Sequence, residues 1–102
     1  MNDIHFEWDN RKASTNHHKH KVTFDEAVTV FLDQNATIYY DPDHSKTEDR
    51  YLIHGISRNL SVLVVCYCYR KREEIIRIIS ARKADQRETQ YYFRKGRHER
   101  AL

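Results

Sequence analysis

The chain has 102 residues, enough for one domain with one modest core and too few to enclose a large cofactor as well. Hydrophobic residues make up 39% and charged residues 32%, with 12% aromatic, a balance that fits a soluble globular domain rather than a disordered one. The net charge of +3 is uneven: Met1 to Tyr69 holds 7 Lys/Arg against 10 Asp/Glu, whereas Arg70 to Leu102 holds 11 against 5.

Taken in chain order, Ile4 to Trp8 alternates apolar and polar residues, as a short strand does. Asp9 stands at a helix N-cap position, and Asn10 to His20, without Gly or Pro, follows as a helix with a thin apolar face. Thr23-Phe24-Asp25-Glu26 fits a capping box, and Phe24, Ala27, Val28 and Phe31 then form one helical stripe. Trp8, Phe24 and Phe31 are expected in the core. After Asp33-Gln34-Asn35 the period switches to two. Strands are expected over Thr37 to Tyr40, Arg50 to Arg58, Val62 to Tyr69 and Glu74 to Ser80, joined by a polar loop and two short turns. Short turns between consecutive strands imply an antiparallel sheet. Asp85 and Glu88 give a second capping pattern, opening a helix that should stop near Gly96. The fold class is therefore α+β: a strand, two helices, an antiparallel sheet of about four strands and a C-terminal helix. Residues 1–96 form the domain and residues 97–102 a flexible tail.

Cys66 and Cys68 lie two apart in an apolar run, too poorly placed to bridge each other, and read as reduced core residues of a cytoplasmic protein. The apolar run Val62 to Tyr69 is too short to span a bilayer, and the first residues do not have the pattern of a signal peptide, so no membrane role is expected.

Several chemistries lack support. With only Gly55 and Gly96, there is no glycine-rich phosphate loop. His17 and His20 share a helix face, but nothing local supplies further metal ligands, so neither metal nor cofactor is expected. Ser57, Ser61 and Ser80 lack a nucleophile elbow. What remains is a concentration of Arg and Tyr around one end of the sheet: Arg50, Arg77, Arg82-Lys83, Tyr91 and Tyr92. Guanidinium forks match phosphate oxygens and keep their charge at neutral pH, while His, Lys or Glu transfers protons and Tyr stacks on bases. These residues suit a ribonuclease, a non-catalytic nucleic-acid-binding module or a protein-interaction domain alike.

A set of short patterns narrows the choice. Phe6-Glu7-Trp8-Asp9, Lys12, Asn16, Lys19-His20, Val22, Phe24 and Glu26-Ala27 resemble the N-terminal signature of the BrnT family. Asp43-His44-Ser45, Glu48, Arg50, Gly55 and Ser57 resemble its middle segment. Arg77 to Ala84, with Glu88 and Tyr91, resembles its most recognisable stretch. Lys21 and Gln34 depart from the family pattern, which usually has Gly and Pro there. The turn after Lys19-His20 must therefore form without glycine's tolerance of positive φ. The turn at Asn59 also lacks the glycine often found there.

The resemblance implies a RelE-like fold and the toxin of a type II toxin–antitoxin system. The toxin would be an endoribonuclease that inhibits translation under stress, working by 2′-OH attack without a metal. Its partners would be RNA and a BrnA-like ribbon-helix-helix antitoxin, with operator DNA reached only through the antitoxin complex. Arg50, Arg82, His20, Lys19 and Glu88 are the candidate catalytic residues, and Lys12, Arg77, Lys83 and Tyr91 the candidate RNA contacts. Each has a structural alternative: an ion pair with Glu48 or Glu88 for Arg50 and Arg82, partial burial for Arg77, a helix C-cap for Lys19 and His20, a pair with Glu7 or Asp9 for Lys12, capping for Glu88 and core packing for Tyr91.

Overall fold

A computed structural model of the chain describes residues 4–101 and the side chains of residues 4–95. Strand β1 (His5–Glu7) leads into Asp9, whose carboxylate accepts hydrogen bonds from the N–H groups of Arg11 and Lys12 at 2.8 and 3.2 Å and so starts helix α1 (Asn10–His20). The helix ends at Lys21, which takes the left-handed conformation (φ 62°, ψ 28°) and donates its N–H to His17 O. Helix α2 (Phe24–Thr29) runs on into a 3-10 turn, Val30–Leu32. Thr23 caps α2 as expected, its Oγ1 accepting from Glu26 N at 3.1 Å, but only half of the capping box forms. The Glu26 carboxylate instead accepts a 2.6 Å hydrogen bond from the hydroxyl of buried Ser57, which would otherwise lose its water partners.

The sheet follows: β2 (Thr37–Tyr40), β3 (Arg50–Ile56), β4 (Val62–Arg70) and β5 (Ile75–Lys83), each antiparallel to the next. The strand order is β1-β5-β4-β3-β2, because β1 pairs in parallel with β5, His5 opposite Ile75. The four expected strands are thus joined by the N-terminal strand to make a five-stranded mixed sheet. A parallel neighbour seventy residues away leaves no local trace in the sequence.

One face of the sheet carries Ile53, Leu63, Val65, Tyr67, Ile76, Ile78 and Ala81 and packs against Val22, Phe24, Ala27 and Val30. Burying each such side chain contributes roughly 1.5–3 kcal/mol. Trp8 meets Phe24 edge-on at 5.8 Å, and Phe31 sits between Phe6 and Tyr67. Trp8, Phe24 and Phe31 accordingly lie in or against the core.

Asn16, on α1, is buried and joins three chain segments. Its amide nitrogen donates to Val22 O and Ala81 O at 3.0 and 2.8 Å, and its carbonyl accepts from Ala81 N at 3.0 Å. This fixes the middle of α1 against the last third of β5.

Asp85 and Glu88 form a complete capping box, each side chain accepting from the other's N–H, and start helix α3 (Gln86–Ala101). The helix runs past Gly96, where a stop was expected. A glycine inside a helix costs only about 1 kcal/mol, and Arg, His, Glu and Ala around it favour helix. Leu102, the end of the expected tail, lies outside the described residues. Among the described residues no helix is long and apolar enough to cross a membrane.

Candidate functional site

The face of the sheet turned away from the core brings the arginines together. Register places Arg50, Leu52 and His54 of β3 opposite Cys68, Cys66 and Val64 of β4, which in turn lie opposite Arg77, Ser80 and Arg82 of β5. Arg77 and Arg82 are five residues apart, so a regular strand would send them to opposite faces. A β-bulge intervenes. Cys66 pairs with Ser80 and Tyr67 with Ile78, leaving Ile79 as the extra residue. Ile79 stays on the same face beside Ser80, and Arg50, Arg77 and Arg82 share that face.

A cavity of about 270 Å³ opens on this face. His20, Asp41, His44, Arg50, Ser80 and Arg82 supply its polar lining, and Leu52, Val64 and Cys66 its apolar floor. A second groove of about 300 Å³ shares His20, Ile79 and Ser80 with it and adds Arg11, Lys12 and Lys19 of α1. Together they form a cationic path from α1 across the bulged strand to β3.

The two cavity arginines are held differently. Glu88 engages both terminal nitrogens of Arg82 at 2.8 and 2.9 Å. That contact, followed by a hydrogen bond from the Asp85 backbone, holds the Glu88 carboxyl down at about 2, so Glu88 is an anion at neutral pH rather than a proton donor. Arg50 makes only a long contact, Nε to Glu48 Oε2 at 3.4 Å, while Glu48 makes its short one, 2.8 Å, to Arg70. The Arg70 hydrogen bond is the main cause of the lowered Glu48 pKa. The fork of Arg50 is thus the less engaged of the two. Arg77 is tied to Glu7 at 2.6 Å on the neighbouring strand.

A short clasp fixes the cavity rim. The 3-10 turn Pro42–His44 follows Asp41, whose N–H donates to Arg50 O at 2.9 Å. Ser45 donates its hydroxyl to Asp41 O and accepts from Arg50 N at 2.9 Å. Within this clasp His44 Nδ1 lies 2.9 Å from Asp41 Oδ2.

Of the residues singled out from the sequence, Arg50, Arg82 and His20 meet in the first cavity and Lys12, Lys19 and His20 in the second groove. Glu88 stands behind Arg82. Lys83 is exposed at the end of β5 and lines neither cavity. Tyr91 is not packed in the core: it is half exposed and hydrogen-bonds Tyr39, whose phenol pKa is raised by burial and then by that bond. The side-chain reading of the sequence gave no role to Asp41 or His44 and gave Glu48 only that of an ion-pair partner; all three lie in the polar loop between β2 and β3. It gave none to His54 either. That half-buried residue sits edge-on to Tyr39, and its pKa is lowered first by desolvation. Cys66 and Cys68 are buried and unpaired, and burial pushes the Cys66 thiol up to about 11. Among the described residues no three His, Cys, Asp or Glu side chains gather as a metal site.

Comparison with known proteins completes the picture. Residues 8–88 match the family model described as the ribonuclease toxin BrnT of type II toxin–antitoxin systems. No curated protein matches. Among solved structures, the 1.1 Å crystal structure of the Brucella abortus ribonuclease toxin BrnT is similar, with a TM-score of 0.64 and 24% identity over 82% of this chain and 100% of that one. At that identity the likeness establishes the fold: the strand, two helices, sheet and final helix are BrnT-like. Since the family match spans most of the chain, from the Trp8 that packs on α2 to the Glu88 that holds Arg82, this protein belongs to the BrnT family of ribonuclease toxins of type II toxin–antitoxin systems.

Proposed function

We propose that the chain is a metal-independent endoribonuclease that cleaves RNA by 2′-OH attack at the arginine-lined cavity, releasing a 2′,3′-cyclic phosphate end and inhibiting translation in the cytoplasm. The observation that carries this reading is the convergence of Arg50, Arg82 and His20 on one cavity continuous with the Lys12–Lys19 groove. The phosphorane formed by 2′-OH attack carries extra negative charge on its nonbridging oxygens. Arg50 meets that charge with its less engaged fork, and Arg82 adds a fixed cation whose position Glu88 sets. Lys12 and Lys19 guide the flanking phosphates, and His20 at the junction of the two grooves transfers a proton. Arg77, tied to Glu7, contributes field rather than contact; Lys83 and Tyr91 serve RNA outside the cavity.

Membership of a toxin–antitoxin family supports a partner that silences the toxin, which we take to be a BrnA-like ribbon-helix-helix antitoxin that also carries the complex to operator DNA. A second reading, a binding module of the same fold without catalysis, is favoured by the engagement of both terminal Arg82 nitrogens with Glu88. Induced expression separates the two. Growth arrest by the unaltered chain, lost in folded Arg50→Ala and Arg82→Ala variants that still bind antitoxin, is expected for the ribonuclease; arrest that both variants retain counts against it.

A further inference from the structure

Cleavage by 2′-OH attack needs two proton transfers on opposite sides of the phosphorus: one from the attacking 2′-oxygen, one to the leaving 5′-oxygen. Of the cavity's side chains, the arginines stay protonated and the Cys66 thiol is pushed up to about 11 by burial. That leaves His20 and His44 as the cavity's two imidazoles, the side-chain type best suited to pass a proton in either direction. We propose that His44, oriented by Asp41, is the general base of this reaction and that His20 is its general acid. This rests on the reading of the cavity as the RNA-cleaving site.

Placement supports the pair. His20 enters from α1 at the β5 side, beside Ile79 and Ser80, and His44 enters from the clasp bound to Arg50 at the β3 side. The floor between them spans three strands, about 10 Å at ordinary strand spacing, wide enough for a phosphate with a base on one flank and an acid on the other. Arg50 and Arg82 line the same space and face the nonbridging oxygens.

Local chemistry assigns the roles. A carboxylate only accepts, so the 2.9 Å contact with Asp41 Oδ2 places the proton on His44 Nδ1 and leaves Nε2 as the acceptor. When Nε2 takes a proton, Asp41 steadies the imidazolium. Asp41 is itself secured by its backbone bonds to Arg50 and Ser45, so it is the positioning residue of the pair. His20, the last residue of α1, stands across the floor from that base and so faces the leaving 5′-oxygen.

The step balances. The 2′-OH proton passes to His44 Nε2 as the 2′-oxygen bonds to phosphorus. The P–O5′ bond breaks, and the 5′-oxygen takes its proton from His20. The products are a 2′,3′-cyclic phosphate and a 5′-OH, and water returns each imidazole to its starting state.

The test uses an RNA oligonucleotide cut by the full chain at a mapped bond and the same oligonucleotide with sulfur replacing the bridging 5′-oxygen there. A thiolate leaves without a proton and so makes the general acid dispensable. On the oxygen substrate, His44→Ala and His20→Ala are each expected to lose about 100-fold or more in kcat, with melting temperatures near that of the unaltered protein. On the sulfur substrate His20→Ala is expected to recover and His44→Ala to stay slow. Asp41→Asn is expected to slow both substrates in kcat with little change in KM. Because His20 is partly buried, His20→Gln serves as a second variant with the same expectation. Cleavage of the oxygen substrate by His44→Ala within about threefold of the unaltered rate would overturn the pair, and recovery of His44→Ala alone on sulfur would overturn the assigned roles. Failure of the unaltered chain to cut either substrate would overturn the ribonuclease reading and the pair with it.

Discussion

Glu88 holds both terminal nitrogens of Arg82, at 2.8 and 2.9 Å, and the same carboxylate accepts the Asp85 N–H that begins α3, at 2.9 Å. One anion thus couples a cavity cation to the start of the final helix. Its folded pKa is about 2 against an ordinary 4.5, so its stabilising contribution is fully present above about 4.5 and is lost as pH falls toward 2. The unaltered protein is expected to lose melting temperature more steeply over that window than Glu88→Gln, which gives up about 1–2 kcal/mol at neutral pH in exchange for a flatter acid limb. Thermal melts from pH 7 down to pH 2 check this, and parallel curves would count against it.

Asn16 supplies three buried hydrogen bonds, to Val22 O, Ala81 O and Ala81 N. Asn16→Ala leaves these backbone groups without a partner and is expected to cost about 2–4 kcal/mol. Asn16→Asp is expected to be no better, because a carboxylate meets both carbonyls without a proton to offer. Chemical denaturation of both variants measures the loss.

Three turns carry positive φ on residues other than glycine, and in two of them a single residue does so. Lys21 has φ 62° at the end of α1 and Leu60 has φ 63° in the β3–β4 turn. The left-handed conformation costs a non-glycine residue about 1–2 kcal/mol, of which glycine's greater freedom in the unfolded chain returns part. Lys21→Gly and Leu60→Gly are each expected to stabilise by about 0.5–1 kcal/mol, raising the melting temperature by several degrees. Unchanged or lower melting temperatures would contradict this.

Much of the fold was legible because it is locally encoded. The apolar run Val62 to Tyr69 marked β4 and Asp9 and Thr23 marked two helix starts, whereas the turn at Lys21, which proves left-handed, was marked only by its departure from the family pattern. Pairings that cross the chain left no such signal. The parallel addition of β1 to β5 depends on residues seventy positions apart, and Glu26 abandons its capping box for a serine on a different element. The site was legible in kind but not in arrangement. Arginine chemistry singled out Arg50, Arg77 and Arg82, yet only the bulge at Ile79 puts all three on one face. His44 was passed over because a lone histidine in a polar loop gains meaning only from the clasp that ties its loop to Arg50.

The most direct test of the central claim is an RNA-cleavage assay with purified protein in the presence of EDTA, comparing the unaltered chain with Arg50→Ala, Arg82→Ala and the double variant, each checked for folding. Cleavage by the unaltered chain that survives EDTA, and falls by about 100-fold or more in the folded double variant, is the expected result. A well-folded protein that cuts neither naked RNA nor RNA on ribosomes, that needs a metal to cut, or that cuts as well without both arginines would contradict it.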